Sequence, residues 1–345
     1  MTSASAERRR RARVVAWAAL PVLVALGILG AVVWATGPAA TLATLARLTG
    51  WEALVLVVLA FVVSVFGAFA WRVVLGRYGH DVSAWLLFRL SVVAFAVGWL
   101  LPSGFVAGLP VAAYLLQRRG VPFSSALASF LIGRFFELAA YAVILPALLV
   151  GDWHTSATLR GALFAPLLVA GFGYLDLVLG WGCARRTLTA LLGVVPRVLE
   201  PPIARAIVFC ETVATFFEAP PRRILTVAGL CLLSIGASFL RALLTADFLA
   251  VGLTVPQVAL VFAFTLFLLA VPFLPGAVGV YEGGIAGFFH LLGHPEAAGI
   301  AYAMTVHAVE LVVVLTGFVF LALLGLDLAR FRRTLEAEVS AGRPT

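Results

Sequence analysis

The 345-residue chain is 63% hydrophobic and only 12% charged, about half the charged fraction of a soluble domain. All 24 basic residues are arginine, which excludes Schiff-base chemistry and a P-loop lysine. The net charge of +8 is divided among arginines that flank apolar runs, a pattern of membrane topology and not of a nucleic-acid-binding face.

The N-terminus carries Arg8-Arg9-Arg10-Arg11 and Arg13, followed by an apolar run from Val14 to Ala35. A signal peptide has a core of only about 7–15 apolar residues, so this run reads as a retained anchor able to cross about 30 Å of hydrocarbon. Further candidate spans are Trp51–Leu75, Ser125–Val150, Gly161–Gly182, Ile224–Val251 and Ala297–Leu324. Two other apolar stretches contain breaks. Trp85–Gln117 is interrupted at Leu101-Pro102-Ser103-Gly104, and Pro256–Leu292 at Leu274-Pro275-Gly276, with Gly279 just beyond. Proline and glycine at those points stop a continuous helix, and each remaining half is short for a crossing. Each broken stretch forms either two short spans or one re-entrant hairpin, with the same sidedness; because the halves are short, the expectation is an all-α polytopic membrane protein with six full spans, two re-entrant broken helices and both termini cytoplasmic.

That topology sorts the arginines. Arg72, Arg77, Arg89, Arg118 and Arg119 fall inside, as do those of the loop 183–223 and of the tail 327–345. Twenty lie inside against Arg47 and Arg160 outside, with Arg134 and Arg241 left within spans. Such an imbalance matches the cytoplasmic bias of arginine in multi-pass proteins. Domains are therefore expected as a basic N-terminus 1–13, a membrane domain 14–326 and a cytoplasmic tail 327–345. Within the loop, Ile203, Ile207, Cys210, Val213, Ala214 and Phe217 share one face of a helix that would lie on the membrane surface.

The two broken stretches align with each other: residues 101–138 fall on 274–311 without a gap. Leu101-Pro102 falls on Leu274-Pro275, Gly120 on Gly293, Pro122 on Pro295 and Glu137-Leu138 on Glu310-Leu311, among 8 identities in all. Units 51–150 and 224–323 then form a repeat, inverted because the first starts outside and the second inside. Inverted repeats with broken helices are a transporter architecture.

Ionisable groups at membrane depth are costly and face cavities or one another. Arg134 and Glu137 lie one turn apart on a helix, and the alignment places them on His307 and Glu310. Arg241 lies inside span 224–251, Asp176 late in 161–182, and Glu282 at the start of a half-helix. These groups serve either as internal ion pairs or as a polar path for a headgroup, in which an arginine suits a phosphate. The path set is Arg134, Glu137, Arg241, Glu282, His307 and Glu310, with Arg241 and Glu282 a candidate pair. The half-helix N-termini after Pro102 and Pro275 would also favour anions. His290 and His294 have a metal-like spacing, but Gly293 and Pro295 end the helix there. Cys183, Cys210 and Cys231 form no CxxC and read as buried apolar residues. No metal or cofactor is expected.

Leu101-Pro102, Tyr114-Leu115-Leu116, Arg118-Arg119-Gly120-Val121 and Arg134-Phe135-Phe136-Glu137 resemble the first half of the lysylphosphatidylglycerol synthase transmembrane (flippase-like) family. Pro275-Gly276-Ala277-Val278-Gly279-Val280-Tyr281-Glu282-Gly283-Gly284 is similar to its Pro-Gly-x-x-Gly-x-x-Glu segment. The family usually has Gly-Glu and a later arginine after the first break; here Leu109 follows Gly108, and Ala112 stands in the arginine's place. The sequence reaches Thr345 shortly after its last expected span, so the resemblance implies a stand-alone member without the aminoacyltransferase domain. It also implies a non-enzymatic translocase of a phospholipid or polyprenyl-linked lipid in a prokaryotic cytoplasmic membrane. The alternatives are an accessory protein of a lipid-modifying or glycosyltransferase enzyme and a membrane enzyme acting on headgroups.

Overall fold

The computed structural model describes residues 34, 38–101, 108–149, 182, 186–187, 189–190, 207, 211, 214–269 and 275–341. Outside them lie all but one residue of each of the expected spans 14–35 and 161–182, Asp176 included, the break residues Pro102 and Gly104, Cys183, Cys210 and most of the loop 183–223. The long elements among the described residues are all helical. They are α1 (Pro38–Leu45), α2 (Gly50–Arg77), α3 (Ala84–Leu100), α4 (Gly108–Gln117), α5 (Phe123–Leu149), α6 (Pro221–Phe248), α7 (Val255–Leu269), α8 (Val280–Leu291) and α9 (Glu296–Ala341).

Three helices are long and apolar enough to cross a membrane: α2, α6 and the part of α9 from Glu296 to Leu324. The 28 residues of α2 reach roughly 42 Å at a rise of about 1.5 Å per residue. A capping box starts this helix: the Thr49 hydroxyl accepts the Glu52 N–H, and the Glu52 carboxylate accepts the Thr49 N–H at 2.7 Å. Its face with Leu56, Ala60, Trp71 and Val74 is buried, and its opposite face with Trp51, Leu54, Val58 and Phe69 is exposed and equally apolar. A helix apolar all round belongs in lipid. By contrast, α4 has 10 residues and α8 has 12, about 15 Å and about 18 Å, well short of the hydrocarbon thickness.

The breaks have local causes. Leu101 leaves α3 in an extended conformation just before Pro102, as the residue preceding a proline favours. After α7, the turn Pro275–Ala277 has Gly276 at φ 60 and Ala277 at φ 54, and Gly279 follows at φ 85. The chain can reverse there because glycine tolerates the left-handed region. α4 and α8 end alike. Gly120 (φ 90) and Gly293 (φ 79) close them, the Val121 N–H bonds the Leu116 carbonyl at 3.2 Å, and the His294 N–H bonds the Phe289 carbonyl at 2.9 Å. That is the glycine-terminated cap with a six-to-one bond, followed in each case by a proline.

Element order repeats. α2, α3, α4 and α5 begin at Gly50, Ala84, Gly108 and Phe123, while α6, α7, α8 and α9 begin at Pro221, Val255, Val280 and Glu296, so matching starts keep a nearly constant spacing along the chain. Packing is reciprocal as well. α2 lies along α6; α3 packs on α9 and α7 on α5; α4 packs on α3 and α5, and α8 on α7 and α9. Small residues permit these approaches, as membrane helix pairs require. A Cβ on Gly317 of α9 would sit 2.6 Å from the Val92 carbonyl oxygen of α3, and one on Gly108 would overlap the Ala94 carbonyl of the same helix.

The apolar, membrane-length part of α9 ends at Leu324, as the sequence suggested, and the helix itself runs on to Ala341. Arg47 is held by α6. Its guanidinium donates to the Leu249 and Ala250 carbonyls at 3.3 Å each, satisfying the open carbonyls at the C-terminus of α6. In the loop 183–223, positions 207, 211 and 214–217 are helical, with Phe216 fully buried.

Candidate functional site

The polar centre of the described fold is built where the turn before α8 meets the end of α3. The Gly276 backbone lies against the Trp99 indole so closely that an added Cβ would be 2.5 Å from the ring. The two break regions therefore touch. From this turn α8 starts with Glu282 in its third position. One carboxylate oxygen of Glu282 accepts the Gly279 N–H at 2.6 Å. The other is 2.6 Å from Nδ1 of His307 on α9, which gives an ionised Glu282 the Nδ1–H as its donor. Glu282 is 1% exposed and His307 9%. Nε2 of His307 is buried and makes no hydrogen bond of normal geometry, although the Gly276 backbone lies within electrostatic reach.

Aromatic side chains enclose this pair. The Tyr281 ring lies 4.6 Å from the imidazole, and the Trp99 ring meets it edge-on at 6.1 Å. The Trp99 Nε1–H donates to Glu310 at 3.3 Å, one turn after His307 on α9. The Tyr281 hydroxyl is 3.4 Å from the Thr265 hydroxyl of α7. Arg241 of α6 lies within electrostatic reach of the Tyr281 and Tyr302 hydroxyls, and Glu310 within reach of Tyr281 and His307. Arg241 is half-buried, and its guanidinium forms no hydrogen bond or ion pair with the described residues.

Of the six path residues, Glu282, His307 and Glu310 thus come together directly, and Arg241 joins them at longer range. The candidate Arg241–Glu282 pair is not formed: imidazole takes the carboxylate. Glu282 also fills the N-terminus of α8 with its own carboxylate, so this end is not the open anion site that the break suggested. Arg134 and Glu137 form a separate pair at 2.6 Å. Arg134 is half exposed and packs over Phe130 at 5.2 Å, while Glu137 lies over Gly67 of α2. This pair is within electrostatic reach of the buried, free Cys231 of α6. His290 and His294 take different partners, Glu296 at 3.3 Å and Gln257 at 3.3 Å. An open cavity of about 710 Å³ lies elsewhere, between the end of α2 and the start of α6, lined by Arg72, Asp81 and Arg223 among others.

Sequence reasoning missed Trp99, Tyr281 and Tyr302. Aromatic residues in so apolar a chain look like lipid-facing or core groups. The available signal was position: Trp99 stands just before the first break, and Tyr281 directly precedes the half-helix glutamate.

A sequence profile described as the lysylphosphatidylglycerol synthase TM region matches residues 18–337. A UPF0104 membrane protein of Methanothermobacter thermautotrophicus is 26% identical over 273 residues, covering 73% of this chain and 76% of that protein. No solved structure matches the chain.

Proposed function

The chain belongs to the lysylphosphatidylglycerol synthase TM region family, and from that membership we propose that it is a lipid translocase moving a phospholipid or polyprenyl-linked lipid between membrane leaflets. The observation that carries the reading is the buried Glu282–His307–Glu310 cluster, with the half-buried Arg241 beside it and without a partner among the described residues. Ionisable groups at such depth mark substrate and ion pathways in membrane proteins. A guanidinium held there suits a phosphate because its fork can make two parallel hydrogen bonds.

The architecture in this reading is an inverted repeat of two units, residues 51–150 and 224–323, each with a re-entrant pair of short helices. The matched helix starts, the reciprocal packing and the left-handed glycines at 79 and 252 and at 120 and 293 support it. The arginine distribution supports a placement of both termini on the cytoplasmic side, in a prokaryotic cytoplasmic membrane in this reading. The re-entrant tips then meet from opposite sides at Trp99 and Gly276. Exchanging the roles of the two units gives the alternate access that such repeats permit. A lipid-modifying enzyme is the natural partner, as source or consumer of the lipid.

The test is translocation in proteoliposomes, normalised to folded protein. Arg241→Ala should abolish movement while the protein still inserts, and Arg241→Lys should impair it because lysine lacks the planar fork. Full transport by a well-folded Arg241→Ala protein removes that residue from the mechanism.

A further inference from the structure

The charged groups around the two tips have a balance that bears on what travels with the lipid. The charged groups are Arg241 from α6, Glu282 from α8 and His307 and Glu310 from α9, and neutral polar groups join them from the other elements packed there: Trp99 from α3, Thr265 from α7, Tyr281 from α8 and Tyr302 from α9. With His307 protonated, the two carboxylates, the imidazolium and the guanidinium sum to zero formal charge. A phosphodiester at Arg241 brings one negative charge. In a site this buried, an uncompensated charge is strongly disfavoured. One further proton on the carboxylate–imidazole–carboxylate group restores the balance.

Resting on the translocase reading, we propose that Glu282, His307 and Glu310 form a proton-binding site, and that one proton crosses with each anionic phosphodiester lipid. The geometry provides for exchange. His307 is held at Nδ1 by Glu282 at 2.6 Å, while its Nε2 is buried without a well-formed hydrogen bond. Glu310, 8% exposed, has among the described residues one long bond, from Trp99 at 3.3 Å. A proton arriving or leaving here alters contacts to both tips together: Trp99 at the end of α3, and Gly279 through the Glu282 cap. Proton occupancy and tip geometry are therefore linked by shared atoms. The movement is electroneutral, since the proton cancels the lipid's charge.

The experiment uses the full chain in proteoliposomes with trace acyl-NBD-phosphatidylglycerol, and acyl-NBD-phosphatidylcholine as a net-neutral control. Leaflet distribution is read by dithionite quenching under an imposed gradient of one pH unit. One-to-one coupling drives the phosphatidylglycerol probe toward the alkaline-side leaflet by about tenfold at equilibrium, one decade per pH unit. The phosphatidylcholine probe stays evenly distributed, and a membrane potential alone shifts neither. His307→Gln and Glu310→Gln should abolish the pH-driven bias. Phosphatidylglycerol that moves but ignores the gradient overturns the coupling and leaves the translocase standing. No movement of either probe sinks the transport reading and the coupling with it.

Discussion

Gly276→Ala tests whether the two break regions meet. Gly276 has φ 60, and a Cβ there would lie 2.5 Å from Cε2 and Cζ2 of Trp99. Placing alanine in the left-handed region costs about 1–2 kcal/mol. The indole must also retreat by about 1 Å to recover ordinary contact. Its bond to Glu310 is already 3.3 Å long, so the retreat breaks it. A hydrogen bond to a charged partner is worth about 1.5–3 kcal/mol, which brings the expected loss to about 2.5–5 kcal/mol. In a Trp99→Leu background the ring and its bond are gone, and only the backbone cost of about 1–2 kcal/mol remains. The cycle should thus show a coupling of about 1.5–3 kcal/mol, read from unfolding in mixed detergent micelles. Equal cost in both backgrounds would mean that the tips do not touch, and the assembly of the site described above would be wrong.

Other outcomes follow from the packing. Gly317→Ala should destabilise by about 1–3 kcal/mol, because its Cβ meets the Val92 carbonyl at 2.6 Å and Ala96 at 2.5 Å, whereas Gly236→Ala, with open space around it, should gain up to about 1 kcal/mol of helix stability; thermal scanning of both variants checks the contrast. Arg47→Ala should cost about 0.3–1 kcal/mol, the scale of a cation at a helix C-terminus, visible as a small shift in the same scan. If the proposed inverted repeat holds, Asp81→Cys and Thr254→Cys, both exposed, should label from opposite sides of the membrane with an impermeant thiol reagent. Labelling from the same side would contradict the inverted arrangement.

Local rules made part of this molecule legible in its sequence. The lengths of α2 and α6 follow from apolar runs bounded by arginine and by cap residues, and the observed Gly50–Arg77 and Pro221–Phe248 differ from the expected spans by a few residues at the ends. The Arg134–Glu137 bond follows from its i, i+3 spacing. The partner of Glu282 did not follow. Charge complementarity favours arginine over histidine, yet the 25-residue separation between Glu282 and His307 is closed by the turn after α8, and the sense of that turn is set by Gly293. The aromatic enclosure was hidden for another reason: in a chain this apolar, composition does not distinguish a tyrosine beside a buried histidine from one in lipid.

The seating of α3 on α9 also governs how the chain is made. Val92 and Ala96 wait for Gly317, far downstream in α9, and non-local contacts of that kind close late because long loops must be ordered first. While the ribosome is still synthesising α9, the α3–α4 pair lacks the surface that holds it. Its short helices are then free to slip or to be cut. Protease resistance around residues 84–117 should therefore appear only after the segment containing Gly317 has been inserted, and a ribosome stalled before that segment should leave the region as sensitive as it is in an unfolded chain.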